Sequence, residues 1–240
     1  MSLMSILLAS LLAVGPGAPP PSGAPVVVEL FTSEGCSSCP PADGVLSRMV
    51  DKGVPGARVL ALGFHVDYWD HIGWNDPYGA RAHSDRQRGY ADRLHVRSIY
   101  TPQMVVDGAV EFVGSREDQA LAAVRAAAGQ AKVPLSLTRD GAYLVLVLPA
   151  NLPLDAEVFL ALTEPGPAQR VSRGENAGRT LAHAAVVRQW IALGPASAGR
   201  RWAWPVDQLV PKGRSQQAVA LLQIKGQGRI LGAESLAIQS

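Results

Sequence analysis

The chain has 240 residues, with 22 lysines and arginines against 20 aspartates and glutamates, and a formal net charge of +2 at pH 7. Acidic and basic residues are interspersed along it, which argues against nucleic acid and an anionic membrane surface as partners. The two cysteines, Cys36 and Cys39, lie in one motif, so none remains for a structural disulfide elsewhere.

Residues 1–24 are predicted to be a signal peptide or a disordered leader. Residues 3–14 form an apolar run of signal-peptide length that is too short to span a membrane. No lysine or arginine precedes this run, and the prolines that follow it obscure a cleavage site. We expect a periplasmic or secreted protein with no membrane span after processing, in a compartment where disulfides persist.

A predicted buried strand then runs into a Cys-x-x-C motif. Residues 26–32 are apolar and β-branched apart from one glutamate, and a short polar stretch ends the strand before Cys36 and Cys39. Apolar residues at helical spacing between positions 42 and 50 predict a helix directly afterwards. A dithiol at a strand-to-helix turn lies beside free backbone N–H groups and the positive end of the helix dipole, which stabilise a thiolate.

Two other interpretations of the motif are weaker. Half of a zinc site would need four ligands, and the chain has no second Cys-x-x-C. A purely structural disulfide that closes so short a loop would constrain the unfolded chain little. The motif therefore favours redox or metal-handling thiol chemistry.

The following segments predict an alternation of strands and helices. A second buried strand over residues 58–66 should lie parallel to the first. A polar and aromatic segment leads to a helix that begins near an Asp76 cap and ends at about Leu94. Thr101-Pro102 precedes a short strand, Asp107-Gly108 predicts a hairpin turn, and a short amphipathic helix ends at Gly129.

This order of elements is similar to the thioredoxin fold. In that superfamily a cis proline at the start of the third strand lies against the dithiol and helps to hold substrate backbone, which implies that role for Pro102 together with Thr101. The strand acid typical of thioredoxins aligns with Leu30, and Glu29 is expected to face the other side of the sheet.

The chain also resembles an uncharacterised bacterial family that is predicted to be secreted and thioredoxin-like. The resemblance rests on the segments VVELFTSEGCSSCPPAD, FHVDYWDHIGWNDPY, YTPQMVVDG and RGENAGRTLAHAAVVR. It implies a fold and an exported location, and it does not identify a substrate.

From residue 133 onward we predict only strands, at residues 135–138, 143–148, 157–163, 180–191, 201–206, 218–225 and 230–237. Seven short strands separated by turn residues are typical of an antiparallel sandwich of immunoglobulin-like size. The predicted fold class is therefore an α/β thioredoxin-like domain at residues 25–130, followed by an all-β antiparallel, sandwich-like domain at residues 131–240.

Within the motif, Cys36 is predicted to be the nucleophile and Cys39 the resolving thiol. Cys36 comes first and lies nearest the free amides, so we expect it to be the more exposed sulfur and the better stabilised thiolate. His65 ends the second strand and could support a thiolate or bind a metal, or could simply bond to loop backbone. A polar cluster in the second half is expected to form a buried network or a domain contact; it comprises Arg173, Glu175, Asn176, Arg179 and His183.

Three functions remain open. The first is an exported thiol–disulfide oxidoreductase that acts on an unidentified protein thiol or disulfide, without a cofactor or a resident metal. The second is a metal-handling protein, with copper as the candidate metal because soft thiolates select Cu(I). The third is a binding module whose dithiol is vestigial.

Overall fold

The computed structural model describes residues 23–152 and 155–240, so the predicted leader lies almost entirely outside the described residues. The strands are β1 Pro25–Thr32, β2 Arg58–His65, β3 Gln103–Val106, β4 Val110–Val113, β5 Ser136–Asp140, β6 Tyr143–Val147, β7 Ala156–Arg170, β8 Thr180–Pro195, β9 Arg201–Pro205, β10 Ser215–Ile224 and β11 Ile230–Gln239. The helices are α1 Pro40–Lys52, α2 Arg81–Arg93, α3 Glu117–Ala128 and α4 Val206–Leu209, with a 3-10 turn at Asp70–Ile72. Across these two described ranges, no helix has the length and apolar character needed to cross a membrane.

Most of the strands form one mixed sheet of eight strands, in the order β11-β10-β7-β8-β2-β1-β3-β4. β1 and β2 are parallel over their full length, from Pro25 opposite Arg58 to Thr32 opposite His65, as the sequence predicted. β3 and β4 form the predicted antiparallel hairpin beside β1. A second sheet contains β5, β6 and β9.

The expected fold class, a thioredoxin-like α/β domain followed by a separate β-sandwich, is wrong. Each of the seven candidate strands in the second half overlaps an observed strand, but four of them extend the sheet that β1 to β4 begin. The strand pattern could not distinguish these two arrangements, because alternating apolar residues occur both in a strand of a separate sandwich and in a strand added to an existing sheet. The division of the chain near residue 130 stays a prediction.

The two halves join where β8 pairs with β2 in the sheet. Gly63 of β2 pairs in parallel with Val186 of β8. A Cβ atom at position 63 would lie 3.2 Å from the carbonyl oxygen of Ala184 and 3.4 Å from that of Ala185. Glycine therefore permits a close backbone approach at this junction.

We expect Gly63→Val to lower the free energy of unfolding by about 1–3 kcal/mol, because the added side chain must displace backbone rather than a flexible neighbour. Gly129→Ala is the control, since a Cβ atom there would meet its nearest neighbour at an ordinary 3.5 Å. Denaturant unfolding of both variants measures the difference. Equal stability would contradict the close packing of β8 on β2.

Three apolar clusters hold the sheets and helices together. One face of β1, with Val26, Val28 and Leu30, packs against α1 and α3. The opposite face, with Val27 and Phe31, packs with residues of α2, β7 and β10. The third cluster lies between the three-stranded sheet and the strands β7 and β10. Because β1 is covered on both sides, its carboxyl end is fixed in position, and the Cys-x-x-C motif begins there.

Two helix predictions need correction. α2 begins at Arg81 and has Ala80 at its N-cap, so Asp76 does not cap it. The short helix α4 falls in a region where only strands were predicted. Asp76 instead accepts a hydrogen bond from the backbone N–H of Glu34, next to the Cys-x-x-C motif.

Candidate functional site

Cys36 and Cys39 form a disulfide at the turn between β1 and α1, with a Cα–Cα distance of 5.4 Å. The backbone N–H of Cys36 donates to the carbonyl of Ser33 at 3.2 Å, and that of Cys39 donates to the carbonyl of Cys36 at 3.2 Å. Cys39 is the N-cap of α1, and prolines occupy the first helical positions. The motif therefore lies at a strand-to-helix turn, as the sequence predicted.

Both cysteines are fully buried, each with 0% of its surface exposed. The expectation that Cys36 would be the more exposed sulfur is therefore wrong for the disulfide form. The two residues between them, Ser37 and Ser38, are exposed. The hydroxyl oxygen of Ser38 lies 3.3 Å from Cys36 Sγ, so it is a polar group in contact with this sulfur.

Thr101 and Pro102 lie beside this turn, at the start of β3. Their peptide bond is cis, as predicted. The carbonyl oxygen of Thr101 lies 3.5 Å from the hydroxyl of Ser38, and its side-chain hydroxyl accepts a hydrogen bond from the Trp69 indole at 2.8 Å. Pro102 is buried and Thr101 is half-buried. The structure thus brings the Thr101-Pro102 step to the edge of the Cys-x-x-C loop.

His65 is connected to the turn before Cys36 by hydrogen bonds through Asp76. Its Nδ1 donates to Asp76 Oδ2 at 2.7 Å, and the same oxygen accepts the backbone N–H of Glu34 at 2.8 Å. Burial opposes the charge on Asp76, but His65 and two backbone N–H groups outweigh it, so the pKa of this carboxyl is lowered. Residues 23–152 and 155–240 include no group of three His, Cys, Asp or Glu side chains arranged to hold a metal ion.

A second buried histidine, His183 of β8, lies between two carboxylates of the first half. Its Nε2 donates to Glu34 Oε1 at 3.2 Å, and its Nδ1 lies 3.7 Å from Asp43 Oδ2 of α1. Burial lowers the pKa of His183, but Asp43 and Glu34 raise it more, to about 9. A pKa of about 9 favours the imidazolium form of His183 at neutral pH, hydrogen-bonded to Glu34 and with Nδ1 at 3.7 Å from Asp43.

The remaining bonds of this cluster connect it to the sheet. Asp43 accepts a hydrogen bond from Thr32 Oγ1 at 2.9 Å, and Glu34 accepts one each from the Trp74 indole and the Gln169 amide, both at 2.9 Å. The two histidine rings, His65 and His183, meet edge to face with centroids 4.5 Å apart. The turn around the disulfide thus lies on a connected buried polar network.

The loop of residues 171–179, between β7 and β8, covers the motif; we call it the cap loop. Asn176 is fully buried, and its Nδ2 donates to the carbonyls of Glu34 at 2.9 Å and Cys36 at 2.8 Å. Glu175 is exposed, and its Oε2 accepts both the backbone N–H of Ser37 at 2.9 Å and the Ser37 hydroxyl at 2.7 Å. The cap loop therefore bonds directly to the backbone of the Cys-x-x-C motif.

Of the polar cluster of the second half, Asn176 and His183 are buried and bond to the turn around the motif, so the predicted buried network is confirmed for these two residues. Arg173, Glu175 and Arg179 are exposed, and for them the prediction of burial is wrong. Sequence reasoning missed Glu34, Asp43 and Asp76 as parts of the site. Glu34 lies two residues before Cys36, and Asp43 lies four after Cys39, one helical turn away, so proximity in sequence could have found both. Asp76 lies 37 residues beyond Cys39, and only its fold position brings it there.

A cavity of about 750 Å³ lies elsewhere and is lined by residues of β2, β7, β10 and β11. Apolar side chains such as Val59 and Val219 line it together with the buried polar residues Glu164 and Gln216. Its lining shares no residue with the surroundings of the disulfide described above. The cavity is therefore a separate site from the Cys-x-x-C motif.

Comparison with protein families finds a match over residues 27–223 to a model described as "Protein of unknown function (DUF1223)". A crystal structure of protein AGR_C_4864 from Agrobacterium tumefaciens is similar, with 26% identity and a TM-score of 0.71, over 90% of this chain and 95% of that one. HBP35 of Porphyromonas gingivalis shares the fold at 14% identity and a TM-score of 0.54, over 91% of this chain and 76% of that one. No curated protein matches the chain.

Proposed function

Because the chain belongs to the DUF1223 family, whose function is unknown, we propose from the site itself that it is an exported thiol–disulfide oxidoreductase acting through Cys36 and Cys39. The observation that carries this proposal is the disulfide at a Cys-x-x-C turn between a buried strand and a helix. Such a turn places a second sulfur within reach of the first, as an exchange of disulfides requires.

The reaction is an exchange of one disulfide for another. In the dithiol form, the Cys36 thiolate attacks a sulfur of the partner disulfide, and the other partner sulfur leaves as a thiolate. Cys39, after losing its proton, attacks Cys36 Sγ in the mixed disulfide and releases the first partner sulfur. The Cys36–Cys39 disulfide forms, and the partner gains two electrons; from the disulfide form the same steps run in reverse.

Several neighbouring groups support this assignment of roles. The Ser38 hydroxyl, 3.3 Å from Cys36 Sγ, can donate a hydrogen bond to a thiolate there. Thr101 and Pro102, next to Ser38, would align the backbone of the partner. His65 is a supporting residue that acts through Asp76 on the turn before Cys36. Since both cysteines are buried, the exchange requires the cap loop to move when a partner binds.

The test is reduction of insulin disulfides by the full chain, followed together with its redox equilibrium in glutathione buffers. We expect turnover by the wild type, background rates for Cys36→Ser, and accumulation of a mixed disulfide for Cys39→Ser, because the resolving thiol is missing. Turnover that persists in Cys36→Ser, or a Cys36–Cys39 pair that never exchanges with glutathione, would refute the proposal.

A further inference from the structure

Few backbone N–H groups near Cys36 remain free to stabilise a thiolate. Pro40 and Pro41 have no N–H, and the amides of residues 42 and 43 donate to the carbonyl of Cys39 at 2.9 and 3.1 Å. The amide of Cys39 donates to the carbonyl of Cys36. The start of α1 therefore offers a Cys36 thiolate fewer free N–H donors than an ordinary helix N-terminus would. The nearest remaining donors are the amides of Ser37 and Ser38.

A carboxylate already occupies one of these two amides. Glu175 Oε2 accepts the N–H of Ser37, the residue that follows Cys36, and also its hydroxyl hydrogen. Hydrogen bonds from Ser37 lower the pKa of Glu175, so this side chain is charged at neutral pH. A thiolate on Cys36 would compete with this carboxylate for the same donor and would also be repelled by its negative charge.

The position of Glu175 is built into the fold. The next residue, Asn176, is fully buried and bonds to the carbonyls of Glu34 and Cys36. The preceding residue, Gly174, has φ of +77° and packs so closely that a Cβ atom would lie 3.1 Å from Ile72 Cδ1. Fixed backbone on both sides thus directs the Glu175 side chain to the Cys-x-x-C turn.

We propose that Glu175 is a positioning residue that disfavours the Cys36 thiolate and thereby holds the Cys36–Cys39 pair in its disulfide form. The inference rests on the proposed thiol–disulfide chemistry and specifies how that site is regulated. Reduction by a dithiol or by glutathione adds two electrons and two protons to the pair, and the thiolate then forms when Cys36, the residue before the Ser37 amide that Glu175 occupies, loses its proton. Removal of the carboxylate charge stabilises the reduced form and raises the reduction potential.

Glu175→Gln tests the charge, because glutamine keeps an oxygen that can accept the Ser37 hydrogen bonds. The full chain is equilibrated with glutathione buffers at pH 7, and the disulfide fraction is measured. We expect the equilibrium to shift about three- to tenfold toward the dithiol, which corresponds to about 15–30 mV. Glu175→Lys should shift the equilibrium further toward the dithiol. Alkylation of Cys36 in the reduced protein should become faster from the wild type to Glu175→Gln and from Glu175→Gln to Glu175→Lys.

Asp140→Asn is the matched control, since it removes one exposed negative charge on β5 of the second sheet. The other titratable groups around the motif are the same in all variants; they are Glu34, Asp43, Asp76, His65 and His183. An equilibrium for Glu175→Gln and Glu175→Lys within twofold of the control would overturn the inference. Because the glutathione equilibrium is measured on the cysteine pair itself, a wild type that fails to reduce insulin would refute only the proposed function.

Discussion

Arg86→Met should lower the free energy of unfolding by about 3–5 kcal/mol, because it leaves the buried carboxylate of Glu29 without its partner. Arg86 Nε and a terminal nitrogen donate to the two Glu29 oxygens at 2.5 and 2.9 Å, and both side chains are at most 2% exposed. The guanidinium also lies 4.1 Å from the centroid of the Trp190 ring. The ion pair therefore joins β1, α2 and β8 across the face of the sheet opposite α1.

Denaturant unfolding of the disulfide form measures this loss. Arg88→Met, two residues along the same helix, is the control, because Arg88 is 43% exposed and its surface ion pair contributes at most about 1 kcal/mol. The double variant Glu29→Leu/Arg86→Met should recover much of the stability, since two apolar side chains leave no buried charge. A loss below about 1 kcal/mol in Arg86→Met would show that Glu29 is stabilised without Arg86, for example by the Tyr90 hydroxyl at 2.6 Å.

The stability of the protein should fall as the pH rises from about 7 to above 9, because His183 then loses its proton. Its pKa rises from an ordinary 6.5 to about 9 in the folded protein, since Asp43 and Glu34 outweigh the opposing effect of burial. The protonated form is favoured by folding, so the contribution is complete below pH 6.5 and disappears as the pH passes about 9. This difference corresponds to about 3 kcal/mol.

The measurement is denaturant unfolding of the disulfide form at pH values between 6 and 10. His183→Gln should be less stable than the wild type at pH 6, and it should lack the decline between pH 7 and 9. His71→Gln is a control for the removal of a histidine, because His71 is exposed and bonds to the backbone carbonyl of Tyr68. A wild-type stability that is constant over this range would mean that His183 is neutral in the folded protein.

The second half of the chain forms part of the candidate site. His183 and the cap loop come from β8 and the connection before it, whereas both cysteines and their flanking strand come from the first 40 residues. β8 reaches the motif because it pairs with β2 at Gly63, next to the end of that strand. Variants in either half are therefore expected to alter the reactivity of the cysteine pair.

Local sequence patterns were sufficient to predict the strands and the place of the Cys-x-x-C motif at a strand-to-helix turn. The alternation of apolar residues, the Asp107-Gly108 turn and the Cys-x-x-C after a β-branched run each depend on a few neighbouring residues. The strands β1 to β4 and the closeness of the two cysteines were predicted correctly for this reason. The cis Thr101–Pro102 bond was predicted from the resemblance to the thioredoxin fold instead. The orientation of Glu29 away from the α1 face followed from the two-residue period of a strand.

Tertiary structure alone decided how the strands combine and what covers the cysteines. The alternation of apolar residues in a strand does not show which neighbouring strand it will pair with. The pairing of β8 with β2 and the single eight-stranded sheet could therefore not be inferred from the sequence pattern. The backbone carbonyl of Cys36 accepts a hydrogen bond from Asn176, 140 positions away along the chain. The pKa of His183 depends on two carboxylates next to the motif, Glu34 and Asp43. Contacts between residues so far apart along the chain form only when the whole sheet is assembled.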